Sequence, residues 1–398
     1  MPIQHGLPSD FEASAYDMVV VGAGYAGVVV ARSLAERCGM RVAVLERRGH
    51  VGGNAYDCLD DAGVLIHLYG PHIFHTYDER VYNFLERFTL FDGYEHRVLA
   101  NVHGTLMPVP FNHRSLLIAF GEQRGEQLYR KLVETFGENK KVRILQLREQ
   151  KDPDLEAVAD YVYENIFLHY TMKQWGQTPD QVDPSVTGRV PVMVGDDDRY
   201  FQSPYQGMPE GGYTKLFENM LAHDLIDVFL DVDARDVLAV RDGGVVVGDR
   251  PYAGEVVYTG PLDELFGLDL GDLPYRSLDL QFQTLHQDQF QPAATVNYTT
   301  SEDFTRISEF KLMTGQKVDG VTTILREYPQ AYVPGTGMTP YYAILNDENR
   351  ALYQRYLDRV SGIANFHAVG RLAEYRYYDM DGVVASALDL ADAIAATR

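Results

Sequence analysis

The sequence predicts an α/β fold in which a parallel βαβ unit is combined with an inserted helical domain and an antiparallel β-sheet domain. A short apolar run, Asp17–Val21, leads into closely spaced glycines, a helical segment and a second apolar run, Arg41–Leu45. From about residue 78 to 180, apolar residues recur at spacings of three and four, which is typical of amphipathic helices. Beyond about residue 215, short strand-like runs are separated by Gly, Pro and Asp.

The glycines of the first unit form the motif Gly22-Ala-Gly24-Tyr-Ala-Gly27. Gly22 permits a tight strand-to-helix turn, Gly24 lets the backbone approach a pyrophosphate, and Gly27 lets the helix pack on the strand, so that the helix N-terminus faces the phosphates. Glu46 ends the second run, 19 residues after Gly27. A carboxylate there accepts hydrogen bonds from ribose hydroxyls and repels a 2′-phosphate. The segment therefore predicts a Rossmann-like site for FAD or NAD.

A second pair of glycines favours FAD. Gly52 and Gly53 follow Glu46 closely and precede Asn54, which resembles the extended fingerprint of glutathione-reductase-type and amine-oxidase-type FAD proteins. A further candidate, Gly335-Thr-Gly337, lacks a third glycine and runs into a proline. We therefore expect no dedicated NAD(P)H domain, and an external reductant such as NAD(P)H would act without a Rossmann site of its own.

The composition limits the possible partners and location. With 398 residues and 45% hydrophobic residues, the chain can bury a large core. Its formal charge of −22 disfavours nucleic acids and anionic membranes as partners, and no apolar run is long enough to span a membrane. The start of the chain has no signal-peptide pattern, and Cys38 and Cys58 have no CxxC or zinc spacing, so we expect a cytoplasmic protein without a metal. An anionic substrate would require arginines that make one cleft locally positive.

The domains are expected to be interleaved along the chain. The predicted ranges are 16–77 with about 215–270 and 360–398 for the FAD-binding domain, 78–180 for the helical domain, and about 181–214 with 271–359 for the β-sheet substrate domain and its mobile loop. The periodicity predicts one helix over Leu116–Phe136, a last parallel strand near Phe366, and a closing helix over Met380–Ala396.

Several further motifs resemble those of the bacterial UDP-galactopyranose mutases, and the resemblance covers almost the whole chain. They are Tyr69-Gly-Pro-His72-Ile-Phe-His-Thr76, Tyr170-Thr-Met-Lys-Gln-Trp175, Arg199-Tyr-Phe201, Tyr205-Gln-Gly-Met-Pro-Glu-Gly-Gly-Tyr-Thr214, Tyr258-Thr-Gly-Pro-Leu262, Phe304-Thr-Arg306-Ile, Pro340-Tyr-Tyr342 and Gly370-Arg-Leu-Ala-Glu-Tyr-Arg-Tyr377-Tyr-Asp379. The resemblance implies that the protein is an isomerase that interconverts UDP-galactopyranose and UDP-galactofuranose by covalent catalysis through N5 of reduced FAD. It further implies a role in supplying galactofuranose for cell-surface glycans, and a homodimer or higher homo-oligomer.

The resemblance also indicates which arginines bind the diphosphate. Arg306 matches the fixed arginine that binds the diphosphate, and Arg189 matches the arginine of the mobile loop by its spacing from Trp175. Arg199 could reach the same phosphates, and Met193 replaces a second loop arginine. The choice between Arg189 and Arg199 is therefore left open. The acidic run that follows Met193, residues 196–198, is expected to be a solvated loop tip that favours the open state.

Other site residues follow from the same resemblance. Trp175 is expected to stack on the uridine, although core packing is the alternative reading of an aromatic residue at helical spacing. His72 is expected beside the reactive side of the flavin as a further catalytic residue. His67, His72 and His75 lack a carboxylate or thiol that would complete a metal site. Arg371 is expected against the flavin, with a structural salt bridge as its alternative.

The resemblance implies one set of substrate-binding residues and one set of cofactor-binding residues. The substrate-binding residues are Phe167, Tyr170, Thr171, Trp175, Tyr200, Phe201, Tyr342, Tyr377 and Asp379. The cofactor-binding residues are Gly22, Gly24, Tyr25, Ala26, Gly27, Glu46, Arg47, Gly53, Asn54, Pro71, His72, Val232, Arg371, Asp379 and Met380. The helix that begins at Met380 would direct its N-terminal dipole at the N1/O2 edge of the flavin.

Two other classes of protein share parts of this pattern. A flavin amine oxidase or desaturase of the same fold would need an apolar tunnel and no diphosphate clamp, so the arginines among tyrosines disfavour it. A non-catalytic protein similar to the GDP-dissociation inhibitors would lack bound flavin, so the intact fingerprint through Asn54 disfavours that alternative.

Overall fold

The computed structural model of the chain describes residues 3–176 and 191–398. Its centre is a six-stranded sheet with the spatial order β1-β12-β3-β2-β16-β22. All five strand pairings are parallel. The strands are β1 Ile3–His5, β2 Met18–Val21, β3 Val42–Leu45, β12 Ile226–Leu230, β16 Glu255–Tyr258 and β22 Phe366–Ala368. The predicted parallel α/β fold is confirmed.

Both faces of this sheet are buried, as parallel sheets require. Along β2 and β3, Val20 and Val44 join one core cluster, whereas Val19 and Ala43 join the cluster on the other face. The first cluster includes residues of α1 Tyr25–Cys38, α8 Tyr213–Leu221 and α12 Met380–Ala396. The other face is covered by α11 Asp347–Leu357 and by a small antiparallel sheet of β13 Leu238–Arg241, β14 Gly244–Val247 and β15 Arg250–Pro251.

A second, seven-stranded sheet has the order β21-β17-β20-β19-β18-β7-β8. Its pairings are antiparallel except that between β18 and β7, which is parallel. The strands are β7 Val98–Val102, β8 Thr105–Val109, β17 Tyr275–Leu285, β18 Thr295–Tyr298, β19 Arg306–Glu309, β20 Thr322–Ala331 and β21 Tyr342–Ala343. Three strand pairs complete the β-structure: β4 Asp57–Leu59 with β5 Leu65–His67, β6 Phe74–Thr76 with β11 Tyr205–Gly207, and β9 Lys140–Val142 with β10 Val192–Val194.

The remaining helices lie mostly between residues 79 and 175. They are α2 Glu79–Glu86, α3 His113–Phe120, α4 Glu122–Phe136, α5 Ile144–Glu149, α6 Pro153–Val162 and α7 His169–Trp175, with the short α9 Leu262–Leu265 and α10 Phe310–Thr314 later in the chain. A π-helical turn, Tyr163–Leu168, joins α6 to α7. Within the described ranges, no helix is long and apolar enough to cross a membrane.

The segment expected to be helical differs from the expectation in two respects. Its strands β7 and β8 form one edge of the seven-stranded sheet, and α3, α4 and α6 pack against them in a common core. The single helix expected over Leu116–Phe136 is two helices, because Gly121 has a φ of 77° that interrupts the right-handed helix. Gly125 then allows close packing, since a Cβ there would lie 2.9 Å from the carbonyl oxygen of Leu116.

We predict that Gly27→Ala destabilises the protein. An ideal Cβ at residue 27 would lie 2.1 Å from the carbonyl oxygen of Gly22, so α1 would have to move away from β2. The expected loss is about 1–3 kcal/mol in the free energy of unfolding, measured by urea titration. Gly362→Ala is the control, because a Cβ there meets nothing within 4 Å. Equal stability of the two variants would contradict this account of the turn.

Buried His67 makes the free energy of unfolding depend on pH. Its ring is fully buried against Tyr213 and Phe310, with centroid distances of 5.5 and 5.6 Å. Its Nδ1 accepts a hydrogen bond from the backbone N–H of His72 at 3.0 Å. Burial lowers the pKa of His67 to about 3, so the ring is neutral at pH 7.

Since the pKa of His67 is lower in the folded state than its unfolded value of about 6.5, the unfolded state binds the extra proton. Stability from this group is complete above pH 6.5 and is lost as pH falls toward 3, by about 1.4 kcal/mol per pH unit. We predict that His67→Asn flattens the dependence of the unfolding free energy on pH between 4 and 6 by about that slope. His103→Asn, at an exposed loop position, is the control. If the unfolding free energy of His67→Asn changed with pH as steeply as that of the wild type, the pH dependence could not be assigned to His67.

Candidate active site

The glycine motif builds the first of two adjoining clefts. Gly22 has a φ of 102°, and a Cβ on it would lie 2.1 Å from Oγ1 of Thr259. Gly53 has a φ of 57°, and its Cβ would lie 3.0 Å from Cα of Gly24. We call this close approach of Gly24 and Gly53 the glycine crossing. Because no side chain fits there, backbone atoms face the cleft at the point where a pyrophosphate would approach. Gly24 also precedes α1 without a capping side chain, which leaves the first N–H groups of the helix for an anion.

Glu46 is held rigidly at the end of β3. Its Oε2 accepts a hydrogen bond from the N–H of Ala23 at 2.8 Å, and its Oε1 accepts one from the N–H of Arg48 at 2.9 Å. A carboxylate oxygen can accept a second bond, so Glu46 retains the capacity to bind ribose hydroxyls. Its position beside the glycine crossing fits the adenosine half of FAD.

Most of the expected cofactor-binding residues line this cleft. They are Gly22, Gly24, Tyr25, Ala26, Glu46, Arg47, Gly53, Asn54, His72, Val232, Arg371 and Met380. Pro71 and Asp379 line the adjoining cleft instead, and Gly27 is packed against the turn. Gly52, the first glycine of the second pair, also lines this cleft, as do residues of the quoted motifs, which are Tyr258, Thr259, Gly260, Pro261, Pro340, Tyr341 and Gly370. Further lining residues that no sequence signal indicated are Arg48, Asp233, Arg235 and Glu264.

The second cleft, about 510 Å³ in volume, opens directly from the first. The two share Asn54, His72, Tyr341, Arg371 and Met380. The expected substrate residues that line it are Tyr170, Tyr200, Phe201, Tyr342, Tyr377 and Asp379, together with Arg306. A ligand that fills the first cleft as far as His72 would therefore present its end to the second.

His72 at this junction is a neutral hydrogen-bonding group. Burial, with smaller contributions from His67, Arg371 and Arg306, lowers its pKa to about 3. Its Nδ1 lies 2.8 Å from the carbonyl oxygen of Gly70, which can only accept, so Nδ1 carries the proton. In the neutral ring Nε2 is then an acceptor, able to bind a donor on a ligand that spans the clefts.

Arg306 provides a charge-compensated guanidinium in the second cleft. It begins β19 directly opposite Glu327 of β20, and its Nε donates to Oε1 of Glu327 at 2.5 Å. The Glu327 side chain is only 1% exposed, whereas that of Arg306 is 26% exposed. Burial acts to lower the pKa of Arg306, but the charge and hydrogen bond of Glu327, together with Tyr170 and Tyr342, raise it, and the net shift is upward. The side chain stays cationic while it lines the cleft.

Aromatic rings form a second group of potential ligand contacts, of which Tyr342 and Tyr377 line the second cleft and Trp175 does not. Trp175 lies 5.8 Å from Tyr342, which is stacked on Tyr377 at 5.7 Å. The guanidinium of Arg371 lies over the Tyr342 and Tyr377 rings at 5.4 and 5.0 Å, and its Nη2 donates to the carbonyl oxygen of Tyr341 at 2.7 Å. Within the described residues Arg371 forms no ion pair, so its contacts differ from those of the salt-bridge alternative.

Four of the expected substrate residues lie in the π-helical turn Tyr163–Leu168 or in α7, which follows it. Such turns widen the helix and often occur at functional sites. Phe167 is turned into the helical core, where it is 4% exposed, and it does not line the cleft. Thr171 is likewise buried, whereas Tyr170 lines the cleft.

Arg199, which was expected as a possible ligand of the diphosphate, binds acidic side chains in the structure. Asp197 binds its guanidinium through two contacts, at 2.9 and 2.8 Å, and Glu95 adds a third at 3.2 Å. Arg199 is not among the cleft-lining residues. Arg189 lies outside the described residues, so the choice between the two arginines stays open.

The acidic run before Arg199 is only partly a solvated tip. Asp196 is 82% exposed, although its Oδ1 lies 3.0 Å from Nδ1 of His113. Asp197 binds Arg199, and Asp198 binds Arg97 at 2.8 Å. The contacts of Asp196 and Asp198 thus connect the segment to the start of α3 and to the residue before β7, while the Asp197–Arg199 pair is internal to the segment.

The sequence analysis also missed Lys141, which lines the second cleft from β9. Its register partner on β10 is Met193, the position where an arginine was expected from the resemblance. Burial lowers the pKa of Lys141, and the charge of Asp197 opposes that shift. No motif marks this lysine, because only the pairing of two distant strands brings it to the cleft.

Two additional histidines line the cleft. The ring of His75 is stacked on Phe201 at 3.6 Å, and burial lowers the pKa of His96 to about 3. In the described part of the chain, no group of three or more His, Cys, Asp or Glu side chains could hold a metal ion.

Comparisons with known proteins agree with this architecture. The family model for UDP-galactopyranose mutase matches residues 165–377, and that for an NAD(P)-binding Rossmann-like domain matches residues 20–88. A crystal structure of reduced UDP-galactopyranose mutase superposes with a TM-score of 0.70 over 96% of this chain and 94% of that chain, at 14% identity. The latter likeness supports the fold alone.

Sequence relatives extend over nearly the whole chain. The UDP-galactopyranose mutase of Mycoplasma pneumoniae is 34% identical over 97% of this chain and 98% of the relative. The dTDP-fucopyranose mutase of Escherichia coli is 30% identical over 94% of this chain and 97% of the relative. The full-length similarity and the match to more than half of the chain show that it belongs to the UDP-galactopyranose mutase family.

Proposed function

We propose that the protein interconverts UDP-galactopyranose and UDP-galactofuranose with FAD as its cofactor. The observation that carries the proposal is the junction of the two clefts at His72 and Arg371, with a dinucleotide cradle on one side and a cationic, aromatic cleft on the other. When bound in its reduced form, FAD supplies at N5 the nucleophile for covalent catalysis. No side chain then has to act as the nucleophile.

In this proposal the second cleft holds the nucleoside diphosphate. Arg306 contacts the diphosphate, because a guanidinium binds phosphate oxygens in a planar, paired geometry and stabilises the charge that develops on a leaving phosphate. Lys141 adds a cation to the same cleft. Tyr200, Tyr342 and Tyr377 surround the phosphates, and the indole of Trp175 stacks on the uracil.

The remaining residues act on the sugar and the cofactor. His72 accepts a hydrogen bond at the junction, and Arg371 faces the flavin from its position over the Tyr342 and Tyr377 rings. The N-terminus of α12, which begins at Met380, favours negative charge on the adjacent flavin edge. We further propose that an external donor such as NAD(P)H reduces the flavin, that the product serves cell-surface glycans, and that the cytoplasmic enzyme is a homodimer or larger.

We predict that turnover requires reduction of FAD, because N5 of oxidised flavin is an electron-poor, electrophilic nitrogen and becomes a nucleophile only in the reduced ring. The purified protein would be incubated with UDP-galactofuranose before and after dithionite treatment, and UDP-galactopyranose would be quantified by chromatography. Activity only after reduction is expected. Equal turnover by the oxidised protein would refute the proposal, and turnover of dTDP-fucopyranose in place of the UDP sugars would refute the substrate assignment.

We also predict that Trp175→Ala raises KM through loss of stacking on the uracil. The expected loss is about 1–3 kcal/mol, and the visible spectrum of bound FAD is unchanged. Trp175→Phe retains a ring and serves as the matched variant, with most of the affinity preserved. Loss of flavin or unfolding of Trp175→Ala would instead identify the indole as a core residue.

A further inference from the structure

The helix that carries Trp175 is tied to the seven-stranded sheet by Lys173. The Nζ atom of Lys173 donates to three backbone carbonyl oxygens, those of Tyr298 at 2.6 Å, Glu302 at 2.9 Å and Phe304 at 3.1 Å. An ammonium group has three N–H donors, so these bonds use its full capacity. Lys173 is therefore a fixed tether and has no donor left for a ligand.

The charged ammonium group of Lys173 is bound by backbone carbonyl oxygens. Within the described residues no carboxylate oxygen forms an ion pair with its Nζ. Burial lowers the pKa of Lys173, while the charges of Glu302 and Asp303 oppose that shift. Loss of the ammonium would leave three carbonyl groups without this donor.

Arg276 holds the same helix from its C-terminal end. Its Nε donates to the carbonyl oxygen of Gln174 at 3.0 Å, and its Nη2 donates to that of Lys173 at 3.3 Å. The last carbonyls of a helix lack partners within the helix, and a cation there also opposes the negative end of the dipole. Arg276 is on β17, where its register partner is Tyr342, the ring next to Trp175.

The carbonyls that Lys173 binds lie on the segment that leads to Arg306. Tyr298 ends β18, Arg306 begins β19, and Phe304 precedes Arg306 by two residues. One side chain therefore connects the Trp175 helix to the backbone beside the Arg306–Glu327 pair.

We propose that Lys173 and Arg276 are positioning residues that fix the distance between Trp175 and Arg306. The inference rests on the proposed function, in which these two groups bind the base and the diphosphate of one ligand. A uridine diphosphate has a limited span, so its two ends bind together only if the protein groups are already spaced correctly. When the tether is lost, part of the binding free energy is spent on ordering α7.

The test uses Lys173→Met in the FAD-bound protein, since methionine occupies similar volume without N–H donors. Trp175 is the only tryptophan of the chain, so its fluorescence reports on α7 directly. We expect acrylamide to quench this fluorescence more strongly in Lys173→Met and UDP to bind about tenfold more weakly by calorimetry. Lys215→Met, which removes an exposed lysine from α8, is expected to change neither measurement.

A double-mutant cycle separates positioning from general stability. In a Trp175→Ala background, the effect of Lys173→Met on UDP affinity is expected to fall to less than about threefold, because the base contact is already lost. Equal penalties in both backgrounds, or unchanged quenching and UDP affinity in Lys173→Met, would overturn the proposal. If Lys173→Met does not fold, the fluorescence quenching, the UDP affinity and the double-mutant cycle are measured with Arg276→Met instead. Failure of the wild-type protein to bind UDP would instead refute the proposed function.

Discussion

The active-site region depends on placing a permanent cation inside a strongly acidic protein. The chain carries a formal charge of −22, and Arg306 meets Glu327 across neighbouring strands at 2.5 Å. The buried carboxylate compensates the guanidinium, and removing either partner would leave a charge without its counter-ion, at a cost of about 3–5 kcal/mol. The pair is close to neutral as a whole, so a dianionic diphosphate needs additional positive potential. Lys141 and Arg371 line the same cleft, and in the proposed function they supply this potential.

The rest of the cleft is assembled from segments that are far apart in the chain. The glycine crossing of Gly24 and Gly53 brings the cofactor cradle to the edge of the parallel sheet, and His72 joins that cradle to the second cleft. Lys173 and Arg276 connect α7 to the sheet that carries Arg306. Each connection is a hydrogen bond or a close backbone approach between segments, so the spacing of the ligand groups is a property of the tertiary structure.

Features with local causes could be predicted from the sequence. The glycine motif and Glu46 predict the parallel unit, because each residue type is required by the geometry of one turn or one strand end. The apolar pattern likewise predicts the closing helix Met380–Ala396 with its observed limits. By contrast, the periodicity around Gly121 continues through a break that depends on a positive φ, and a lone glycine in a helical pattern does not reveal it. The approach of Lys141 to the cleft depends on the pairing of distant strands, and the three carbonyl partners of Lys173 depend on the packing of α7 against the seven-stranded sheet. Residue patterns carry no signal for such contacts.

The central claim is that Arg306 binds the diphosphate while buried Glu327 compensates and orients its guanidinium. Calorimetric UDP binding and urea unfolding of Arg306→Met, Glu327→Gln and the double variant test it most directly. We expect both single variants to be less stable than the wild type, because Arg306→Met leaves the buried Glu327 carboxylate alone and Glu327→Gln leaves the partly exposed Arg306 guanidinium without its counter-ion, and the double variant to recover stability. UDP binding is expected to persist in Glu327→Gln and to be lost in both variants without Arg306. A stable double variant that binds UDP as tightly as the wild type would contradict the claim.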